Sequence, residues 1–552
     1  MHLRRPAAIA AAVLIALPVA ACGRKATPTS NGASGGNGSG GGGASAQQKP
    51  TTPAASGTTG AVTWATYREV QTLDPIQAFD YPENTVITSM CDSLLQQQPD
   101  GSSQPGLATK VDQPDPTTIV LTINTSAKFW DGKAVSSADV VYSLRRNTNK
   151  ALAGFYGAVF ENVSSISATG ADQVTIKLSK PDNWLLGELS QMPGIVLEKA
   201  YVERKGKSFG TPSGGTMCSG PFKLDSWKPG TSLTAVKNDA WWGSPKPQAQ
   251  SMVFKGVPDD SSLTTGLLTN EITGTYPQPL TTLDQLKASQ KVKVYAGPSF
   301  ASDALVISNL KGTLKDVKVR QALSLAVDRQ AYIDTLYKGY AQMPRTLANP
   351  GTWGYEKDVF QADWNKLPEP KMNVAKAKQL IQQAHAAGQE IVIGTSSEIN
   401  SLETAANAVR QAAISIGLKA RLKSVSAANY INFFTDPKAR ADVDGFLTVN
   451  YPDYADPAAL YNTVVMPDGS QNYDGFNDPR ITAAMNEART TTDQSKRAQM
   501  TAKAGDLIME TLPWIPLADP DTVVIMDSRV TGAPSSFQYM GGPWAASIGA
   551  AK

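Results

Sequence analysis

The sequence predicts an α/β protein with at least two lobes. Two observations carry this. The chain has 552 residues, 41% hydrophobic and 18% charged; that is more than one hydrophobic core ordinarily serves, and too apolar to be disordered. Its periodic segments also alternate between short strand-like runs and helical apolar stripes, the pattern of helices packed on sheets.

In chain order, residues 119–123 and 174–178 are β-branched runs that predict strands. Between them Ser136 is placed to cap a helix reaching Asn147, with Asp139 three residues on and Val140, Val141 and Leu144 as its stripe. Asp316 caps a second helix, whose Val319, Ala322, Leu323 and Ala326 share a face and which is expected to end near Gly339. A third helix is expected from Asn373 to Gly388 and a fourth from Ser401 to Gly417, each followed by a strand-like run at 391–393 or 418–422. All these residues read as core.

The N-terminus reads differently. Arg4 and Arg5 precede an apolar run from Ala7 to Leu17, shorter than the ~20 residues a permanent span requires. Val19, Ala20, Ala21 and Cys22 then resemble the lipobox of bacterial lipoproteins, in which the Cys22 thiol accepts lipid. Ordinary secretory cleavage after Ala21 is the alternative. Residues 1–21 are thus expected to be a signal peptide, and 22–60 a Gly/Ser/Thr/Pro tether with no aromatic residue. The folded part is expected from Ala61.

Composition excludes several classes. With 51 basic and 48 acidic side chains, no electrostatic footprint for nucleic acid exists. Two histidines argue against a histidine-based metal site or triad. The glycine patterns at 32–36 and 36–41 fall inside the tether, and Tyr201 stands where a P-loop ending at Ser208 needs its first glycine. No catalytic motif survives, so no enzymatic activity, cofactor or metal is expected.

Residues 124–147, the block 219–224 with Trp227 and 238–243, the helix 316–329, and 512–517 occur in an order that resembles one family in detail. That family is the bacterial extracellular solute-binding proteins, family 5, the oligopeptide- and dipeptide-binding lipoproteins of ABC importers. The resemblance implies a bilobed type II periplasmic-binding fold with its ligand cleft between the lobes. Lobe one would span 61–305 with an inserted subdomain at about 95–205, lobe two 306–513, and 514–552 would return to lobe one. Physics gives Asp131-Gly132 a turn and leaves most signature residues structural jobs.

The ligand-facing segments implied are few. Phe79, Asp80 and Tyr81 fall where the peptide receptors offer an edge strand to the ligand. Val449, Asn450, Tyr451 and Asp453 belong to a loop in which the family's first aspartate, here Asp453, holds the α-ammonium of a short peptide. A buried ammonium needs a carboxylate, while the peptide backbone pairs by strand addition. The alternative for Asp453 is a turn residue bonded to its own backbone, and Pro452 removes a donor just before it. Asp456 reads as a cap before Pro457.

In an exported protein the remaining Cys91 and Cys218 are expected to form a disulfide, two buried free thiols being the alternative. Three function classes stand. One is a monomeric, lipid-anchored peptide receptor on the outer face of the cytoplasmic membrane, delivering to an ABC permease. Another is a same-fold receptor for an oligosaccharide or metal chelate, using Trp64, Tyr81, Trp353, Tyr451 or Trp544 for stacking. The third is a non-transport envelope lipoprotein.

Overall fold

The computed structural model describes residues 49–276, 280–396 and 400–552. The expected leader, Cys22 and most of the expected tether lie outside them. Residues 49–60, expected to end that tether, are instead tied to the C-terminus: Thr51 bridges Pro534, Gly57 bridges Ala550, and the Thr52 hydroxyl donates to the Ala533 carbonyl at 2.7 Å. The fold reaches back to Lys49 because distant strands supply partners that composition does not show.

Three larger sheets organise this part of the chain. The first has seven strands in the order Val292–Gly297, Thr522–Asp527, Gly274–Thr275, Thr59–Thr66, Ala249–Gly256, Ser232–Lys237, Phe222–Lys228. The second has six: Ala341–Gln342, Trp514–Pro520, Ser302–Ile307, Gly445–Asn450, Glu390–Ser396, Lys419–Val425. The third is antiparallel: Ala108–Asp115, Thr118–Ile123, Gln173–Leu178, Val163–Ala168. This is the expected bilobed α/β fold.

The chain passes from the first sheet to the second between Gly297 and Ser302, and back at Asp521. The two crossing strands, Ser302–Ile307 and Trp514–Pro520, lie antiparallel side by side, and every residue of both is buried. Strand alternation sends Leu305 and Ile307 into one core, and Ala304 and Val306 into another on the opposite face. A sheet covered on both faces must read as a continuous apolar run.

Local signals explain the helices. The Ser136 hydroxyl accepts from Asp139 N at 3.3 Å, and Ser136 N donates to the Asp139 carboxylate at 3.1 Å, completing a capping box. The helix it starts, Ser137–Thr148, buries Val140 and Leu144 against the four-stranded sheet. Asp316 caps Val317–Ala326. That helix does not run to Gly339. Val327 is extended, and Asp328 accepts from Ala331 N at 3.0 Å to start a separate turn. The third and fourth helices are Val374–Gln383 and Asn400–Ser415, the third stopping short of Gly388.

Cys91 follows the helix Tyr81–Met90 and forms a disulfide with Cys218, their Cα atoms 4.9 Å apart. Beside it the buried Asp92 accepts from Ser219 at 2.9 Å and from the indoles of Trp241 and Trp242 at 3.1 and 2.8 Å.

Candidate ligand-binding site

A cavity of about 240 Å³ opens between the first and second sheets. Trp64, Tyr67, Tyr81 and Tyr539 line it from one side, Val449 and Tyr337 from the other. Seven of its lining residues are aromatic, five of them tyrosines, which suits a ligand with apolar parts and a polar backbone.

The segment Phe79–Tyr81 does not form the expected edge strand. Asp80 caps the helix Tyr81–Met90, accepting from Tyr81 N at 2.8 Å, and Pro82 occupies its first turn. A carboxylate followed by proline at that offset is a helix start, and it outcompetes extension. Asp80 is also engaged by the Tyr67 hydroxyl and by Arg68 at 2.6 Å, while Arg68 reaches Glu83 at 2.8 Å. These carboxylates hold the Arg68 guanidinium in its charged form, well above its ordinary range. Asp80 is therefore an internal partner. Phe79 packs on Phe155 with ring centres 4.3 Å apart, and its carbonyl accepts from the Tyr451 hydroxyl at 3.0 Å.

That bond joins the two halves of the site. Tyr451 meets Tyr81 edge-on at 4.6 Å and Phe537 at 5.0 Å. Asn450 ends the strand Gly445–Asn450, paired with Ser302, and its amide donates to Gln471 at 2.6 Å. Pro452 turns the chain away from the ladder, leaving Asp453 beyond the strand end.

The loop is fixed on its far side. Asp456 caps Pro457–Val465, accepting from Ala458 N at 2.9 Å, and pairs with the buried Arg497, whose guanidinium lies 4.3 Å over the Tyr355 ring. Tyr454 packs on Gly187: a Cβ there would lie 2.3 Å from the Tyr454 ring. Only glycine permits that approach.

Asp453 differs from the other acids around it. Among the described residues no donor reaches its carboxylate, which burial pushes above the usual range. Its charge acts on the hydroxyls of Tyr156 and Tyr451 and on Glu188. Glu188 ends the short helix Leu185–Glu188; it is 9% exposed, and its Oε2 has no hydrogen-bond partner among the described residues. Burial raises its carboxyl most, then the charges of Asp453 and Asp182, with Arg489 opposing them. Glu188 is a candidate site residue that no motif marked, and its sequence signal is an acid inside the apolar run 184–189.

Of the five aromatic residues considered for stacking, Trp64 and Tyr81 line the cavity. Tyr451 packs on Tyr81, Trp544 is buried against Trp64 at 4.8 Å, and Trp353 is stacked on Phe360. Among the described residues no group of three His, Cys, Asp or Glu side chains could hold a metal ion.

Residues 103–472 match the family described as "Bacterial extracellular solute-binding proteins, family 5 Middle". The chain belongs to this family.

It is thus a substrate-binding protein of the kind that serves ABC transporters. It is 23% identical over 478 residues to the glutathione-binding protein GsiB of Salmonella paratyphi A, covering 84% of this chain and 89% of that one. Among solved structures it resembles the periplasmic binding protein DppA of Helicobacter pylori in complex with the peptide STSA, with a TM-score of 0.78, 22% identity and coverage of 90% and 99%. It also resembles the NikA protein of Staphylococcus aureus in complex with Ni(L-His)2, with a TM-score of 0.74, 19% identity and coverage of 87% and 97%. The ligands named for these proteins differ while the fold is shared.

Proposed function

We propose that this receptor captures short peptides by their N-terminal ammonium and delivers them to an ABC permease, held to the outer face of the membrane by lipid on Cys22. The observation that carries the reading is Asp453, a half-buried carboxylate just past Tyr451 with no donor from the described residues; Tyr451 packs on Tyr81, which lines the aromatic cavity. Such a group is costly to keep unless a cation comes to it. A ligand ammonium brings three donors. Val449 lines the cavity, next to the point where the paired strands end at Ser302 and Asn450.

Isothermal titration with trialanine and N-acetyl-trialanine tests this. The free peptide should bind and the acetylated one should not. Asp453→Asn should weaken trialanine at least about tenfold, the worth of one charged hydrogen bond. Equal binding of both peptides, or an unchanged Asp453→Asn, would remove the reading. For the anchor, Cys22→Ser should release the protein from membranes; retention there would count against lipidation.

A further inference from the structure

The site holds a second acid that the peptide reading does not use. Glu188 reaches it from the subdomain carrying the four-stranded sheet, and Asp453 from the end of the six-stranded sheet; their chain neighbours Gly187 and Tyr454 are packed together, and the buried Glu188 Oε2 has no hydrogen-bond partner among the described residues. A buried carboxylate beside a half-buried one stays ionised together with it only at a cost unless a cation lies between them.

The surrounding donors are committed elsewhere. The Tyr156 hydroxyl donates to the Ala78 carbonyl at 2.6 Å, and the Tyr451 hydroxyl to the Phe79 carbonyl. Arg489, the one cation whose charge acts on Glu188, is held by Asp182 at 2.6 Å and by Glu161. The Tyr454 hydroxyl makes no hydrogen bond among the described residues. Asp182 adds a further negative charge. Among the described residues none supplies this pair with a free donor, and a ligand ammonium would.

Resting on the peptide reading, we infer that Glu188 and Asp453 form a two-carboxylate clamp for one protonated amine, drawn from opposite sides of the cleft so that the bound amine ties them together. Empty, the pair keeps one proton; an arriving ammonium replaces it, and that proton leaves to water. The clamp therefore selects a cationic ligand end, and it makes binding release a proton. Glu188 is a specificity residue whose mark is the pH profile of affinity.

Titration of trialanine into wild type, Glu188→Gln, Glu188→Asp and Asp453→Asn, from about pH 5 to about pH 8, tests the clamp. Buffers of different ionisation enthalpy report the protons released. Wild-type affinity should rise with pH and be accompanied by proton release. Glu188→Gln, which mimics the protonated acid, should match wild type at the acid end, fall about tenfold below it at the alkaline end, and release fewer protons. Glu188→Asp should restore part of the pH dependence. A Glu188→Gln profile identical to wild type, with the Asp453→Asn loss intact, would overturn the clamp alone. No preference of wild type for the free amine, or no binding at all, would overturn the clamp and the peptide reading together.

Discussion

The guanidinium of Arg489 lies 2.6 Å from the carboxylate of Asp182, joining the last turn of the helix Pro479–Thr490 to the segment that leads into Glu188. It also covers the Trp184 ring at 4.6 Å and pairs with Glu161. Asn183 completes the joint: its N–H donates to the Arg489 carbonyl at 2.9 Å, and its amide to the carbonyls of Ala488 and Thr491, so the helix C-terminus is capped by a distant loop. The Arg489 and Asp182 side chains are 7% and 1% exposed, so this pair is buried.

Removing one partner of a buried pair strands the other charge. Arg489→Ala is expected to destabilise the protein by about 3–5 kcal/mol. Urea unfolding checks it, and an unchanged midpoint would show that the joint is incidental.

The disulfide gives a second prediction. Replacing Cys91 and Cys218 with alanine should cost about 2–5 kcal/mol. Reductant should lower the melting temperature of wild type and leave that of the double variant unchanged. Alkylation of either thiol in the native, unreduced protein would contradict the bond.

Gly187→Ala places a methyl group against the Tyr454 ring. Overpacking of this kind typically costs about 1–3 kcal/mol. Tyr454→Leu in the same chain should recover part of the loss, because it removes the ring the methyl meets. Additive losses in that double variant would place the strain elsewhere.

Asp303 predicts a pH dependence. It lies on the crossing strand Ser302–Ile307, accepts from the hydroxyls of Tyr332 and Tyr337, and is paired with Ala518 beside Asp519, which feels its charge and whose carboxylate oxygens have no hydrogen-bond partner among the described residues. Burial pushes its carboxyl up to about 7 despite those hydroxyls. Unfolded, it titrates near ~3.9. Between these values the folded state holds the extra proton, so its contribution to stability falls as pH rises from about 4 to about 7. Wild type should therefore lose stability relative to Asp303→Asn over that window. Parallel melting curves for the two proteins across it would contradict the assignment.

Much of the fold was legible because its signals are local. The Ser136 box, the Asp316 cap and the cap at Asp456 each need a polar side chain within three residues of the amide it serves. The same chemistry explains the misreadings. Asp80 with Pro82 is as good a helix start as those, yet the family resemblance suggested a strand there, and Asp328 breaks a helix that the apolar stripe carried through. At the site, Asp453 was marked by a loop motif, whereas Glu188 stands in an apolar run where nothing at short range distinguishes it.

By itself the sequence determined the α/β class, the order of caps and strands, the family, and the loop that carries Asp453, because periodicity, capping and turn chemistry act over a few residues. The tertiary structure alone decided that Gly187, next to Glu188, packs on Tyr454, next to Asp453, that Asp182 and Arg489 pair from positions 307 residues apart, and that residues 49–60 belong to the fold. Those relations depend on desolvation and on partners brought together by packing. Burial is a property of the assembled chain, and it turns two ordinary carboxylates into a site.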